Sequence, residues 1–318
     1  DTLRCGGYLR GTGEMASECL FLCDRKGRKF MVSLVRKECK DHMEIRQYGK
    51  VPYLTFPLLE KTGLVRHLFS TREGGVSTGI YSSMNVSYSR GDNKEAVDEN
   101  FRRIAEIFGA APDKMVCSRQ THTTNIRRVT KADCGKGVVR ETDYEDVDGL
   151  ITDEPGIILC TFYADCVPLY FVDTKHRAIG LSHSGWRGTV GRMGELTIKA
   201  MGEVFNTRAE DVTAAIGPSI CQDCYEVGEE VADAFRESFP DNWKGILKDG
   251  VKEGKYQLNL QEANRMILEE TGVPSGQIAV TDLCTCCNSK VLFSHRASGG
   301  KRGNLGAFLE LKDELRKF

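Results

Sequence analysis

The chain has few histidines, no long apolar run and no excess of charge of either sign. Its 318 residues contain six histidines, and 44 basic side chains balance 45 acidic ones. This balance argues against nucleic acid or an anionic membrane as a partner, since both favour a basic face. No apolar run approaches the roughly 18 residues that cross a bilayer, so we expect a soluble protein without membrane association.

Size and cysteine content indicate a globular intracellular protein. An apolar fraction of 40% in 318 residues can form a sizeable core in one large domain or two small ones. The 13 cysteines are an odd number and are spread along the chain. They indicate reduced thiols rather than a disulfide framework, so we expect a cytoplasmic location. We expect a monomer or a small homo-oligomer.

Residues 1–42 differ in composition from the rest of the chain. Four glycines lie among the first 13 residues, and two short apolar stretches follow on either side of Asp24-Arg-Lys-Gly-Arg28. Gly27 suits the turn of a hairpin. We interpret residues 1–42 as an N-terminal extension, either a hairpin or poorly ordered, with Met43 as an alternative natural start.

Two helices carry clear start signals. Asp92 with Glu95, and Asn259 with Glu262, form capping-box patterns ahead of apolar residues at helical spacing. A glycine suited to a helix end follows each, Gly109 in the first case.

The middle of the chain predicts two strands, a returning strand and a helix. Residues 157–162 and 169–172 have strand character, and we expect a break between them at 164–168 because Pro168 cannot donate to a central ladder. Residues 177–183 predict the returning strand. A single helix is predicted from about Thr189 to Phe205, with free amides at its N-terminus that suit an anion.

Three scattered residues suggest a metal site. His122, Cys166 and His183 offer two imidazoles and one thiolate, and catalytic zinc takes three protein ligands with a fourth position open. Their separations match no compact metal motif. Taken singly, Cys166 could be a small core residue and each histidine a hydrogen-bonded residue at a strand end.

The surrounding motifs identify a family. They occur together and in order: Phe69-Ser-Thr-Arg-Glu-Gly-Gly-Val-Ser77, Gln120-Thr-His122, Asp148-Gly-Leu-Ile-Thr152, Ala164-Asp-Cys-Val-Pro168, His183-Ser-Gly-Trp-Arg-Gly188, Ile216-Gly-Pro-Ser-Ile220, Tyr225-Glu-Val-Gly228, Asp282-Leu-Cys-Thr285 and Phe293-Ser-His-Arg296. From about Val51 onward, the chain resembles the YfiH-like family, known as the multicopper polyphenol oxidase (laccase) domain and as a purine nucleoside phosphorylase family.

The resemblance implies a fold, a metal site and an activity. The fold is a mixed α/β arrangement of layered sheets and helices of the YfiH-like type, expected over residues 43–318. The metal is held by two His and one Cys, here His122, Cys166 and His183, and we expect Zn²⁺, with Cu²⁺ as an alternative. The activity is phosphorolysis of purine nucleosides, with adenosine deamination as a second reaction. Zinc suits both, since it lowers the pKa of water to roughly 7.

Further site residues are chosen from the family-like motifs. We expect Cys166, Asp165 and Arg72 to be catalytic, with Asp165 as general acid or base and Arg72 as the first choice for phosphate. Each has a structural alternative: a surface Arg in a turn, or an Asp facing away from its neighbour Cys166. The expected substrate-binding residues are Asn85, Arg187 and Arg296.

Other chemistries stay open at the level of sequence. The same trio resembles a type 1 copper set, so a copper-binding polyphenol oxidase is an alternative, although six histidines exclude a four-copper laccase. A cysteine hydrolase with Cys166 as nucleophile is another. Cys221-Gln-Asp-Cys224 could be half of a structural zinc site, with Cys284-Thr-Cys-Cys287 as the other half, but the second group is not a clean pair and buried free thiols are common.

Overall fold

The structure is a computed structural model that describes residues 15–23, 29–37 and 43–313. In that part the strands are β1 (Met15–Cys23), β2 (Lys29–Lys37), β3 (Glu44–Tyr48), β4 (Val51–Thr55), β5 (Val65–Ser70), β6 (Met115–Cys117), β7 (Ile126–Arg128), β8 (Gly149–Thr152), β9 (Ile158–Tyr163), β10 (Val167–Asp173), β11 (Ala178–Ser184), β12 (Val212–Ile216), β13 (Glu226–Gly228), β14 (Leu247–Asp249), β15 (Lys255–Leu258), β16 (Ile278–Val280) and β17 (Leu305–Leu311). The helices are α1 (Pro57–Lys61), α2 (Lys94–Ile107), α3 (Trp186–Val190), α4 (Met193–Phe205), α5 (Glu229–Ser238), α6 (Leu260–Glu270) and α7 (His295–Ser298), and single-turn 3-10 helices lie between them.

Two six-stranded sheets form the centre of the fold. One has the order β3-β4-β5-β17-β9-β6 and the other β16-β12-β10-β11-β8-β7. Apolar side chains from both sheets form one cluster, helices α4, α5 and α6 pack on the outer face of the second sheet, and α2 packs on the outer face of the first. The predicted mixed α/β fold of layered sheets and helices is therefore confirmed, with four layers.

Alternation along the central strands explains this layering. In β10, Tyr170 and Val172 join the cluster between the sheets, whereas Leu169 and Phe171 join the cluster under the helices. Successive side chains of a strand point to opposite faces, so a strand that is apolar at every position is covered on both sides. This placement explains why β10 and β11 are buried throughout.

The starts of α2 and α6 agree with the sequence prediction, except that the α2 cap lies one residue later than predicted. The α6 cap is Asn259, whose side chain accepts from the backbone N–H of Glu262, as predicted. The α2 cap is Asn93 rather than Asp92, and it accepts from the N–H of Ala96. Asn and Asp cap almost equally well, so the chain places the cap where the apolar face of the helix fits the sheet.

Two expectations near the site were wrong in detail. Pro168 lies inside β10, opposite His183, and the strand break covers residues 164–166 instead. Asp165, at φ 90°, makes that turn. The predicted helix from 189 to 205 is two helices, α3 and α4, separated at Arg192, whose φ is 58°. A left-handed arginine breaks the helix, and its own residue type gives no sign of this.

The N-terminal strands form an antiparallel pair. β1 pairs with β2 in the register Met15↔Lys37 to Cys23↔Lys29, where the sequence suggested a hairpin. Gly27 lies outside the described residues, so its turn stays a prediction. Leu34 is 1% exposed and belongs to the cluster between the sheets, so the segment adds a side chain to the core. Within the described ranges no helix is long and apolar enough to span a membrane.

Candidate metal centre and active site

Three segments meet at one end of the two central sheets. Cys166 lies in the turn between β9 and β10, and His183 lies near the end of β11. β10 and β11 pair antiparallel with Pro168 opposite His183, so the register brings Cys166 beside that histidine. His122 comes from the loop between β6 and β7. The predicted trio therefore converges, although its members are far apart in sequence.

The geometry of the trio suits one small ion. Ligand atoms of His122, Cys166 and His183 all lie within 4.8 Å of one another. The Cys166 Sγ lies 3.9 Å from the His122 Nε2, and the two imidazole ring centroids are 4.9 Å apart at an interplanar angle of 83°. Bonds of about 2.0–2.3 Å from zinc to nitrogen and sulfur span such separations. His183 is buried whereas His122 is exposed, so the site opens to solvent on one side.

Asp148 holds both histidines and was not predicted as a site residue. Its side chain is 0% exposed, and its Oδ1 lies 2.8 Å from the Nδ1 of His183. The same Oδ1 accepts the backbone N–H of His122 at 3.1 Å, and Oδ2 accepts those of Thr121 and Thr123 at 2.9 and 3.1 Å. His122 has φ 68°, which turns these successive N–H groups toward one carboxylate. The contact with Nδ1 leaves the Nε2 of His183 for a metal, an arrangement usual around metal-binding histidines.

Cys166 and His183 shift each other's protonation. Burial raises the pKa of Cys166, but the charge of His183 and hydrogen bonds to both histidines lower it to about 6. Burial lowers the pKa of His183, but the Cys166 charge and the bond to Asp148 raise it to about 9. Each charge stabilises the other in a buried site. Without a metal, these shifts favour a thiolate on Cys166 beside a cationic His183.

Gly185 leaves the space that the trio occupies. A Cβ at this position would lie 3.1 Å from the Cys166 Sγ and 3.1 Å from the Cδ2 of His122. These distances are tighter than ordinary van der Waals contact. The glycine of the His183-Ser-Gly motif therefore has a steric reason beside the metal ligands.

Asp165 is tied into the protein rather than left free. Its Oδ1 accepts the hydroxyl of Thr285 at 2.6 Å, and its Oδ2 accepts the backbone N–H of Arg296 at 2.7 Å. Its own carbonyl accepts the N–H of Ile220 at 2.9 Å. These bonds fix the turn that carries Cys166. A general acid or base role for Asp165 stays a prediction.

Two predicted arginines lie around Tyr225, close to the trio. The pKa of Tyr225 is raised to about 12, mainly by burial and also by the charge of Cys166, whereas the charges of Arg296 and Arg187 oppose this shift. Arg296 donates to the carbonyls of Cys224 and Glu226, whereas the exposed Arg187 stacks on Trp186 at 4.2 Å. The structure therefore brings Arg187 and Arg296 to the same region as Cys166.

Arg72 and Asn85 are held inside the fold. The Arg72 guanidinium donates to the carbonyls of Ser82 and Ser289 at 2.8 and 2.9 Å and lies over the ring of Phe293. Asn85 is 0% exposed, and its amide donates to Asp92 and accepts the N–H of Asn304. These contacts stabilise the loops beside the site. Phosphate binding by Arg72 and substrate binding by Asn85 stay predictions.

Two other arginines, both half-buried, form a cationic group that the sequence did not reveal. The Nε–H groups of Arg90 and Arg302 are buried and have no hydrogen-bond partner among the described residues. The pKa of Arg302 is lowered to about 10, mainly by burial and also by the charge of Arg90, whereas the charges of Asp165 and Cys166 oppose this shift. His295 lies in the same electrostatic environment, since burial and the charge of Arg302 lower its pKa. In sequence, both arginines sit next to glycine and look like ordinary loop cations.

A second group of four cysteines also converges. Ligand atoms of Cys221, Cys224, Cys284 and Cys287 lie within 4.8 Å of one another. From the sequence, a zinc site at these cysteines was a weak alternative, because Cys286 lies between Cys284 and Cys287 and the second group therefore lacks a clean two-residue spacing. In the structure Cys286 is not part of the group, and the two remaining cysteines have the two-residue spacing.

Comparison with known proteins supports the family and the fold. Residues 66–312 match the family described as multi-copper polyphenol oxidoreductase laccase. The purine nucleoside phosphorylase YlmD of Geobacillus stearothermophilus is 37% identical over 246 residues, which are 77% of this chain and 89% of the relative. The adenosine deaminase RL5, from an unknown prokaryotic organism, is 35% identical over 237 residues, 74% of this chain and 90% of the relative.

Solved structures share the arrangement of the chain. The crystal structure of the hypothetical protein YfiH from Bacillus licheniformis superposes with a TM-score of 0.79 at 33% identity, covering 84% of this chain and 99% of that one. The structure of YlmD from Geobacillus stearothermophilus gives a TM-score of 0.77 at 34% identity, covering 85% and 99%. The resemblance seen in the sequence motifs is therefore confirmed.

Proposed function

Since the chain belongs to the multi-copper polyphenol oxidoreductase laccase family, we propose that it is a zinc-dependent purine nucleoside phosphorylase with adenosine deamination as a second activity. The observation that carries the proposal is the trio His122, Cys166 and His183 with Asp148 behind it. Relatives named purine nucleoside phosphorylase and adenosine deaminase support the two reactions. Substrates are purine nucleosides and phosphate.

The donor set fits a catalytic metal. One sulfur and two nitrogen ligands are typical of a zinc site that keeps a position open, and the exposed His122 side is where that position would face. A zinc ion held there supplies a Lewis acid at neutral pH. Asp148 fixes the orientation of His183, and Gly185 keeps the space between the ligands clear.

Phosphate is assigned to the cationic group of Arg90 and Arg302. Their buried Nε–H groups have no partner in the described part of the chain, and an anionic oxygen would satisfy them. The charge of Cys166 acts on Arg302, so this group lies beside the trio. In phosphorolysis a phosphate oxygen bonds to the ribose anomeric carbon, and the bond from that carbon to the purine nitrogen breaks. The purine leaves with the bonding electron pair and takes up a proton.

A phosphate-saturation experiment tests this assignment. Arg302→Gln removes the guanidinium and its charge but keeps a polar side chain. We expect the KM for phosphate in inosine phosphorolysis to rise about 10–100-fold, the size of a lost charged hydrogen bond. Adenosine deamination, which uses water, stays within about twofold of the parent protein. Arg72→Ala, the change suggested by the sequence, is measured beside it. Equal losses in both reactions for Arg302→Gln would refute a phosphate role.

A cysteine hydrolase is the second candidate, and one observation favours it. The pKa of Cys166 is lowered to about 6, which is the property of a nucleophilic thiolate next to a cationic histidine. This candidate predicts activity without metal and a covalent adduct on Cys166 during turnover. A copper-loaded trio with polyphenol oxidase activity is the other alternative, and it predicts oxidation of phenols only after loading with copper.

A further inference from the structure

The second cysteine group has the form of a structural metal site. Cys221 precedes a single 3-10 turn, Gln222–Cys224, between β12 and β13, and Cys224 is the last residue of that turn; Cys284 and Cys287 follow β16. The group therefore consists of two Cys-x-x-Cys pairs from separate segments. Among the described residues it is the only group of four His, Cys, Asp or Glu ligands that converges.

The distances match a tetrahedral tetrathiolate. Zinc–sulfur bonds of about 2.3 Å place the sulfurs at the corners of a tetrahedron with edges of about 3.8 Å. The four ligand atoms lie within 4.8 Å of one another, and the Sγ atoms of Cys224 and Cys287 are 3.5 Å apart. Cys221 and Cys284 are buried while Cys224 and Cys287 are half-buried, so an ion could enter from the half-buried side.

The backbone around the group is arranged for a sulfur anion. The N–H groups of Cys221 and Cys287 both donate to the Sγ of Cys284, at 3.3 and 3.4 Å. Two backbone N–H groups aimed at one sulfur can donate to a metal-bound thiolate and so suit this cysteine as a metal ligand. Four buried or half-buried thiols packed as ordinary core residues need no such donors.

We propose that Cys221, Cys224, Cys284 and Cys287 bind a structural Zn²⁺. Four thiolate ligands close the coordination shell, so this ion stabilises the fold and takes no part in catalysis. The inference does not depend on the trio binding a metal, and the two sites are separable by experiment.

The site joins two loops that support the active site. A parallel bridge pairs Ser219 with Cys284, and the next residue, Thr285, donates its hydroxyl to Asp165. The carbonyl of Cys224 accepts from Arg296, whose backbone N–H also donates to Asp165. Zinc at the four cysteines would therefore fix the loops that hold the turn carrying Cys166.

Elemental analysis of the full chain, purified without added metal, tests the inference. We expect about two zinc ions per chain in the parent protein and one in His122→Ala/His183→Ala, which retains the cysteine group. Cys221→Ser/Cys224→Ser should lose one zinc and melt at a lower temperature. Cys286→Ser is the matched control, since this cysteine adjoins the group without belonging to it, and it should keep both ions. If only the trio fails to bind zinc, the parent protein contains one zinc ion and His122→Ala/His183→Ala retains it.

A second measurement tests the inference in case Cys221→Ser/Cys224→Ser fails to fold. In His122→Ala/His183→Ala, zinc is replaced by Co²⁺, and we expect the thiolate-to-cobalt charge-transfer and intense d–d absorption of a tetrahedral tetrathiolate. A mercurial reagent should then release the ion as the four thiols react. The inference is overturned if the histidine variant contains no metal and its thiols react freely, or if mass analysis finds a Cys224–Cys287 disulfide in the native chain.

Discussion

Asp148 is the residue through which the proposed metal centre can be tested most selectively. Its carboxylate accepts three backbone N–H groups from residues 121–123 and the Nδ1 of His183, and it is 0% exposed. In Asp148→Asn one oxygen becomes an NH₂ group. Whichever way the amide turns, that group faces at least two donors, so at least two acceptor positions are lost.

The magnitude follows from these contacts. Losing the partner of a metal-bound histidine typically weakens metal binding about 10–100-fold, or about 1.4–2.8 kcal/mol. Two lost hydrogen bonds to a charged acceptor cost about 3 kcal/mol or more in the free energy of unfolding. We therefore expect both a weaker exchangeable zinc site and a less stable protein.

Asp173→Asn is the matched control because it changes the same kind of contact elsewhere. Asp173 is 0% exposed, lies 3.0 Å from the Nδ1 of His176, and accepts the backbone N–H groups of Lys175 and His176. Competition with a chromophoric chelator measures the zinc dissociation constant, and urea titration measures stability. We expect both variants to lose stability and only Asp148→Asn to lose affinity. A folded Asp148→Asn protein with unchanged zinc affinity would refute the reasoning.

Three other changes have defined outcomes. Gly185→Ala places a Cβ 3.1 Å from the Cys166 Sγ. We therefore expect roughly tenfold weaker zinc binding in chelator competition and a loss of about 1–3 kcal/mol in the free energy of unfolding. Unchanged zinc affinity would show that the loop carrying Gly185 moves to accommodate the methyl group. Burial, with a smaller contribution from Lys312, lowers the pKa of His67 to about 3. Protonation of this histidine therefore favours the unfolded chain, and we expect the free energy of unfolding to fall as the pH drops below 6.5, by about 2 kcal/mol at pH 5. Urea titrations at pH 8 and pH 5 should show this loss in the parent but not in His67→Gln. Deleting residues 1–42 should leave zinc content and nucleoside turnover unchanged. It should lower the melting temperature, because it removes the buried Leu34. Loss of zinc in this variant would show that the segment is part of the catalytic unit.

The sequence predicted the trio but not what holds it. Three ligands of two types in family-like motifs sufficed to choose His122, Cys166 and His183, and the register of β10 and β11 brings Cys166 beside His183. Asp148 stood in one of those motifs, yet an aspartate before a strand has many roles in a single sequence. Its role depends on the left-handed turn at His122, which no local pattern indicates.

Long-range contacts account for the remaining differences. Cys286 obscured the pairing of Cys284 with Cys287 in sequence, and only the fold brings them to Cys221 and Cys224. Likewise, Arg90 and Arg302 come from separate loops, and their shared burial is a tertiary property. The layered fold was predicted from the family resemblance, whereas single strands and helix starts were predicted from local signals such as helix caps.

The central claim is that the trio binds the metal on which nucleoside turnover depends. Zinc content and phosphate-dependent release of hypoxanthine from inosine are measured on the same samples of the parent protein, His183→Ala and His176→Ala. The account predicts that the parent and His176→Ala bind the same amount of zinc and turn over inosine alike. His183→Ala should lose one zinc and its activity, and chelation should abolish parent turnover until zinc is restored. Full turnover without the trio's metal, with a mass-shifted adduct on Cys166, would contradict it.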